Sequence, residues 1–140
     1  MVKENNMVEQ NVISLAKSDV ILYDNYLVRI IIIENSQVEV EDILQVQAAK
    51  KQLLGDHEHV VIFRTPKYGN ISKEARELSA SIAVNKNAIA KAIIVKSISA
   101  KLIGSVFINF HKPPVPTKMF KDEDEAEKWL REMQAKAAGK

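Results

Sequence analysis

The residues of this chain with a chemical use are a run of lysines with no acid among them, a serine at a predicted helix start, and three histidines. From Ser79 to Lys121 the chain carries Lys86, Lys91, Lys96, Lys101, Lys112, Lys118 and Lys121 and no Asp or Glu, which sets up a local positive field. Lys96, Lys112 and Lys118 are the candidates for holding an anionic ligand or an acidic partner surface. The alternative is a solvated face, because these lysines belong to different predicted elements. Few aromatic residues lie near them to stack bases, so nucleic acid is not the expected partner.

Ser72 precedes a predicted helix with Glu74 in its first turn. A phosphate there would meet free backbone N–H groups and the positive end of the helix dipole, which makes Ser72 a candidate phosphorylation site. The same placement suits an ordinary N-cap. His57-Glu58-His59 puts two imidazoles on one side of an extended segment, but His111 is isolated and the chain contains no cysteine. Without a third ligand no metal is expected, and the segment is expected to be a loop entering a strand. No G-x-G-x-x-G, G-x-x-x-x-G-K-S/T or G-x-S-x-G motif occurs, and Gly55, Gly69, Gly104 and Gly139 are too scattered to cradle a phosphate. The acidic cluster from Asp122 to Glu125 is explained by a helix start. No catalytic residue, cofactor or enzymatic activity is assigned.

The elements that must position these residues follow from composition and period. With 46% hydrophobic and 27% charged residues, the 140-residue chain has the make-up of a single globular domain that folds on its own. The domain is expected over 12–136, between a flexible N-terminus at 1–11 and a flexible C-terminus at 137–140. The polar start leads into no apolar signal segment, and the longest apolar run, Ile30 to Ile33, falls far short of the roughly 20 residues that span a bilayer. A cytoplasmic protein without a membrane span is expected, in keeping with the lack of cysteine.

Asp19 to Tyr23 and Tyr26 to Ile33 are β-rich runs separated by Asp24-Asn25, types that tolerate a tight hairpin turn. The second run is apolar throughout and suits the middle of a covered sheet. Val40, Ile43, Leu44, Leu53 and Leu54 then recur at helical spacing up to Gly55. Val60 to Phe63 and Ala92 to Val95 read as buried strands, and Ser72 opens a short amphipathic helix between them. Ser97 or Ser99 caps a helix that must stop before Pro113-Pro114. Val115 to Phe120 is a last strand that Pro116 confines to a sheet edge. Asp122 and Glu125 open a C-terminal helix with Ala126, Trp129, Leu130 and Met133 on one face, and Trp129 and Phe120 are expected to anchor it. The order is β-β-α-β-α-β-α-β-α, a mixed, mostly parallel α/β sheet.

Together with the C-terminal residues Ile103-Gly104-Ser105-Val106-Phe107, Lys112-Pro113-Pro114-Val115-Pro116, Phe120 and Glu125-Ala126-Glu127-Lys128-Trp129-Leu130, this order resembles a STAS-like domain, the sulfate-transporter and anti-sigma-factor-antagonist fold. The likeness is to the small stand-alone bacterial branch of anti-anti-sigma-like proteins and covers roughly residues 18–133. It implies a sheet of four or five strands with the helices mainly on one face. It also implies docking on a kinase-like protein partner, switched by phosphorylation of a serine at the helix after the third strand. Ser72 is the positional match, within Thr65-Pro66-Lys67-Tyr68-Gly69-Asn70-Ile71-Ser72, where the usual Asp-Ser-Ser-Gly-like signature is missing. The expected function is a non-enzymatic regulatory or protein-interaction module. A carrier of a lipid or anionic small molecule, using the apolar helix from Leu102 to Phe110 and its neighbouring lysines, is the alternative. A homodimer through the proline-bearing edge near Val115 stays open.

Overall fold

Two residues with positive φ, Asn25 and Tyr26, make the first hairpin, so its turn sits one position later than Asp24-Asn25. It joins β2 (Ser18–Tyr23) to β3 (Leu27–Ile32) in antiparallel register, with Val20 opposite Ile30. In this computed structural model, which describes residues 8–139, a further strand precedes the hairpin. This β1 (Glu9–Ser14) pairs antiparallel with β2 and starts inside the segment assigned to the N-terminus; residues 1–7 lie outside the described ones.

Beyond β3 come β4 (Ser36–Val38), α1 (Val40–Leu54), β5 (His59–Arg64), β6 (Gly69–Ile71), α2 (Lys73–Ser79), β7 (Ala88–Ile94), α3 (Ile98–Val106), β8 (Thr117–Phe120) and α4 (Glu123–Ala138). The main sheet has six strands in the order β1-β2-β3-β5-β7-β8, with β3, β5, β7 and β8 parallel. This exceeds the four or five strands expected. β4 and β6 form a separate two-stranded parallel pair that the expected order of elements does not contain. Gly69 is required there: at φ +141° an added Cβ would meet the Ser36 carbonyl oxygen at 2.6 Å.

Alternation along the parallel strands decides what each face buries. Val28, Ile30 and Val61 point to α1 and α2, packing on Ile43, Val46 and Ala75, and Ile93 and Val95 on the same face meet Ala100 and Phe107. Val60, Ile62, Ala92 and Ile94 point the other way, onto Ala126 and Leu130 of α4. Three helices therefore cover one face and the last helix covers the other. A π-helical turn, Phe107–His111, extends α3 and ends at Lys112 in a left-handed conformation, just short of Pro113. At α3 the backbone comes close to β8, since a Cβ on Gly104 would lie 2.7 Å from the Met119 sulfur. β8 is a sheet edge, as expected, but it begins at Thr117, so Pro116 lies just before the strand and not within it. The Asp122 side chain caps α4, accepting from the Asp124 N–H at 2.9 Å, and the helix runs through residues 137 and 138 that were assigned to the flexible tail. Among the described residues no helix is long and apolar enough to cross a membrane.

Candidate functional site

Ser72 is the N-cap of α2: its Oγ accepts from the Ala75 N–H at 3.1 Å. The segment just before it, Gly69 to Ile71, shares a small hollow with Ser99, Ala100 and Ile103, which sets the start of α2 beside α3. Ser97 caps α3, accepting from the Ala100 N–H at 3.1 Å while its own hydroxyl donates to the Lys67 carbonyl.

The three candidate lysines do not converge. Lys96 lies with Lys101 and Lys121 around an open hollow at the start of α3. Lys112 stands at the far end of the same helix, roughly 20 Å away at the rise of a helical segment of this length. Lys118 is on the opposite face of the sheet, with its ammonium over Phe120 at 5.4 Å and Trp129 at 5.6 Å. Trp129 and Phe120 pack together, 5.6 Å between centroids, and Trp129 is half-buried rather than enclosed.

What α3 does present is an apolar outer face. Ile98, Leu102, Val106 and Phe110 follow at a spacing of four and are 82, 63, 42 and 71% exposed. The stripe lies inside the acid-free stretch, with exposed Lys96, Lys101 and Lys112 along it. The apolar helix from Leu102 to Phe110 was legible in the sequence, and its inner side buries Ala100, Gly104 and Phe107.

The histidines separate as well. His57 stacks on Tyr26 at 3.5 Å, whereas His59 is buried and its Nδ1 donates to the His57 carbonyl at 3.0 Å. Burial pushes the His59 imidazole down to about 4, and its Nε2 has no hydrogen-bond partner. His111 receives a long hydrogen bond from Arg76 Nε at 3.4 Å. Among the described residues no three potential metal ligands come together.

Two groups of charges, one half-buried and one buried, were not singled out from the sequence. On the α4 face, the Glu123 carboxylate takes Arg64 at 2.7 and 2.8 Å through Nη2 and Nε, and pairs with Arg29 on the neighbouring strand. On the other face, Lys91 of β7 and Lys50 of α1 are 6 and 5% exposed. Among the described residues no carboxylate pairs with either. The Lys91 ammonium has only the Ser79 carbonyl at 3.4 Å and the Phe107 ring at 5.3 Å. Burial pushes Lys91 down to about 7, with the charge of Lys50 adding to it, and Lys50 down to about 8. Lys91 lines a cleft of about 50 Å³, open on one side, between the sheet, α2 and α3, walled by Phe63, Ile93, Ile103 and Phe107. The alternation Lys91-Ala92-Ile93 was the available signal, for it puts Lys91 on the face of a core isoleucine.

No curated protein matches this chain. A solved structure, an uncharacterised protein of the DUF3478 family with a SpoIIAA-like fold from Shewanella loihica PV-4, matches at 18% identity and a TM-score of 0.57, over 93% of this chain and 99% of that one. At that identity the likeness concerns the fold, which is the STAS-like one. The domain of unknown function DUF7793 matches residues 21–134, and the chain accordingly belongs to that family.

Proposed function

We propose that this STAS-like domain is a non-enzymatic interaction module that docks the outer face of α3 onto an acidic protein surface. The observation that carries it is the exposed stripe Ile98, Leu102, Val106 and Phe110, set among lysines in a stretch with no carboxylate. An apolar stripe of this kind costs free energy in water and gains by being covered. Lys96, Lys101 and Lys112 select against basic partners and favour acidic ones. Ser72 belongs to the same side, and a phosphate there would break the hydroxyl cap at Ala75 and put negative charge beside this basic stripe. Regulation by phosphorylation of Ser72 is therefore part of the proposal.

Photo-crosslinking residues placed at Leu102 and Phe110, with Leu44 on the exposed side of α1 as control, test it in the source cell. The proposal expects one acidic protein captured from both α3 positions, lost in Lys101→Glu and weakened by salt. Adducts equal to the Leu44 control, a second copy of this chain as the sole adduct, or sedimentation with anionic vesicles in place of any protein adduct would each overturn it. Capture unchanged in Ser72→Asp would remove the switch while leaving the docking face.

A further inference from the structure

The cleft beneath α2 and α3 holds a cation that no acid among the described residues neutralises. Lys91 enters it from β7, in register with Val61 on β5, and is shut from solvent by the helices above. Among the described residues its ammonium meets the Ser79 carbonyl at a long 3.4 Å and the face of Phe107. Arg76 of α2 lines the same cleft, with its Nη1 on the Ile71 carbonyl at 2.6 Å and its Nε on His111. Past Lys91 a narrower hollow continues under α1 to Lys50, between Ile43, Val46, Val61 and Val84. Among the described residues no Asp or Glu lines either space.

An ammonium buried without a counter-ion is costly, and protein interiors that keep charges pair them. Here no pairing group is found among the described residues, the walls are mostly apolar, and Lys91 and Arg76 line the cleft. Binding pockets have that composition: hydrophobic walls with a few placed polar groups. We propose that this cleft binds a small apolar carboxylate, with its body between α3 and the sheet and its head on Lys91 and the free edge of Arg76. A carboxylate suits the site better than a phosphate, because the cleft offers one ammonium and part of one guanidinium and no loop of converging N–H groups. The low proton affinity of Lys91 agrees with this geometry, since a bound anion would restore the charged form. The site is separate from the outer face of α3 and does not depend on the docking proposal.

The test is a titration of the labelled full chain with octanoate, 1-octanol and octylamine at pH 6, followed by two-dimensional NMR. Octanoate is expected to saturate, moving the methyl signals of Ile93 and Ile103, and to bind at least about tenfold tighter than 1-octanol, with octylamine weakest. Lys91→Met should reduce octanoate to the level of the alcohol. Ile103→Trp, which fills the cleft and leaves Lys91 in place, should abolish both, and it keeps the test decisive if Lys91→Met does not fold. Equal affinity for octanoate and octanol, an octanoate preference that survives Lys91→Met, or no saturable binding of octanoate would overturn the assignment.

Discussion

The two faces of one sheet treat buried charge in opposite ways. Under α4, Glu123 lies between Arg29 and Arg64, which share its carboxylate, buried Glu127 pairs with Arg131, and Ala126 and Leu130 pack on the apolar strand residues. Under α1, α2 and α3, Lys50, Lys91 and His59 are buried with no acid partner among the described residues, His59 Nε2 lacks a hydrogen bond, and clefts remain between helices and strands. Paired charges fix where a helix sits. Unpaired ones leave a surface whose polar demands are met from outside, and the apolar outer stripe of α3 belongs to that same side.

The contrast can be broken from its rigid side first. Leu130→Ala removes a fully buried side chain at the centre of the α4 contact and is expected to cost about 3–4 kcal/mol in urea unfolding. Glu123→Ala leaves Arg29 and Arg64 facing each other, and a loss of about 2–3 kcal/mol is expected, the lower end for a half-buried cluster. On the opposite face the sign reverses. Lys91→Met takes away a buried unpaired cation and is expected to stabilise by about 1–2 kcal/mol at pH 6, with a smaller gain at pH 10, where the lysine is already neutral.

The wild type carries the same sign in its pH profile. Between the folded value of about 7 and the ordinary 10.5, the unfolded chain holds a proton on Lys91 that the folded chain lacks, so stability rises with pH. Lys50 adds to the rise from about 8, whereas His59, folded value about 4, contributes its own rise between there and 6.5. The Lys91 share is complete above 10.5 and fully lost below about 7. Stability measured across pH 6 to 10 should climb, and the climb should flatten in Lys91→Met combined with Lys50→Met. The smallest expected change in stability comes from Phe110→Ser on the outer face, within about 0.5 kcal/mol, although crosslinking from Leu102 should drop several-fold.

Much of the scaffold was legible because it rests on local rules. The all-apolar run of β3, the N-cap serines Ser72 and Ser97, the Asp122 cap and the proline before the edge strand each state their structure within a few residues. β1, β4 and β6 were not, since they are short or polar and exist through partners distant in sequence. The candidate site was legible in part: the acid-free stretch identifies a basic side of the molecule, but burial is a tertiary property. Lys91 and Lys118 look alike in that stretch, yet one is enclosed under Phe107 and the other lies over Trp129 on the opposite face. Glu123 likewise looked like one more acid at a helix start, and its two arginine partners come from β3 and β5.

The difference between the faces rests on lysines enclosed without a counter-ion, and side-chain NMR of selectively labelled lysines titrates them directly. Signals assigned through Lys91→Met and Lys50→Met should titrate near 7 and 8 in the folded protein. Midpoints for both near 10.5 would mean hydrated or paired ammonium groups and would contradict the account.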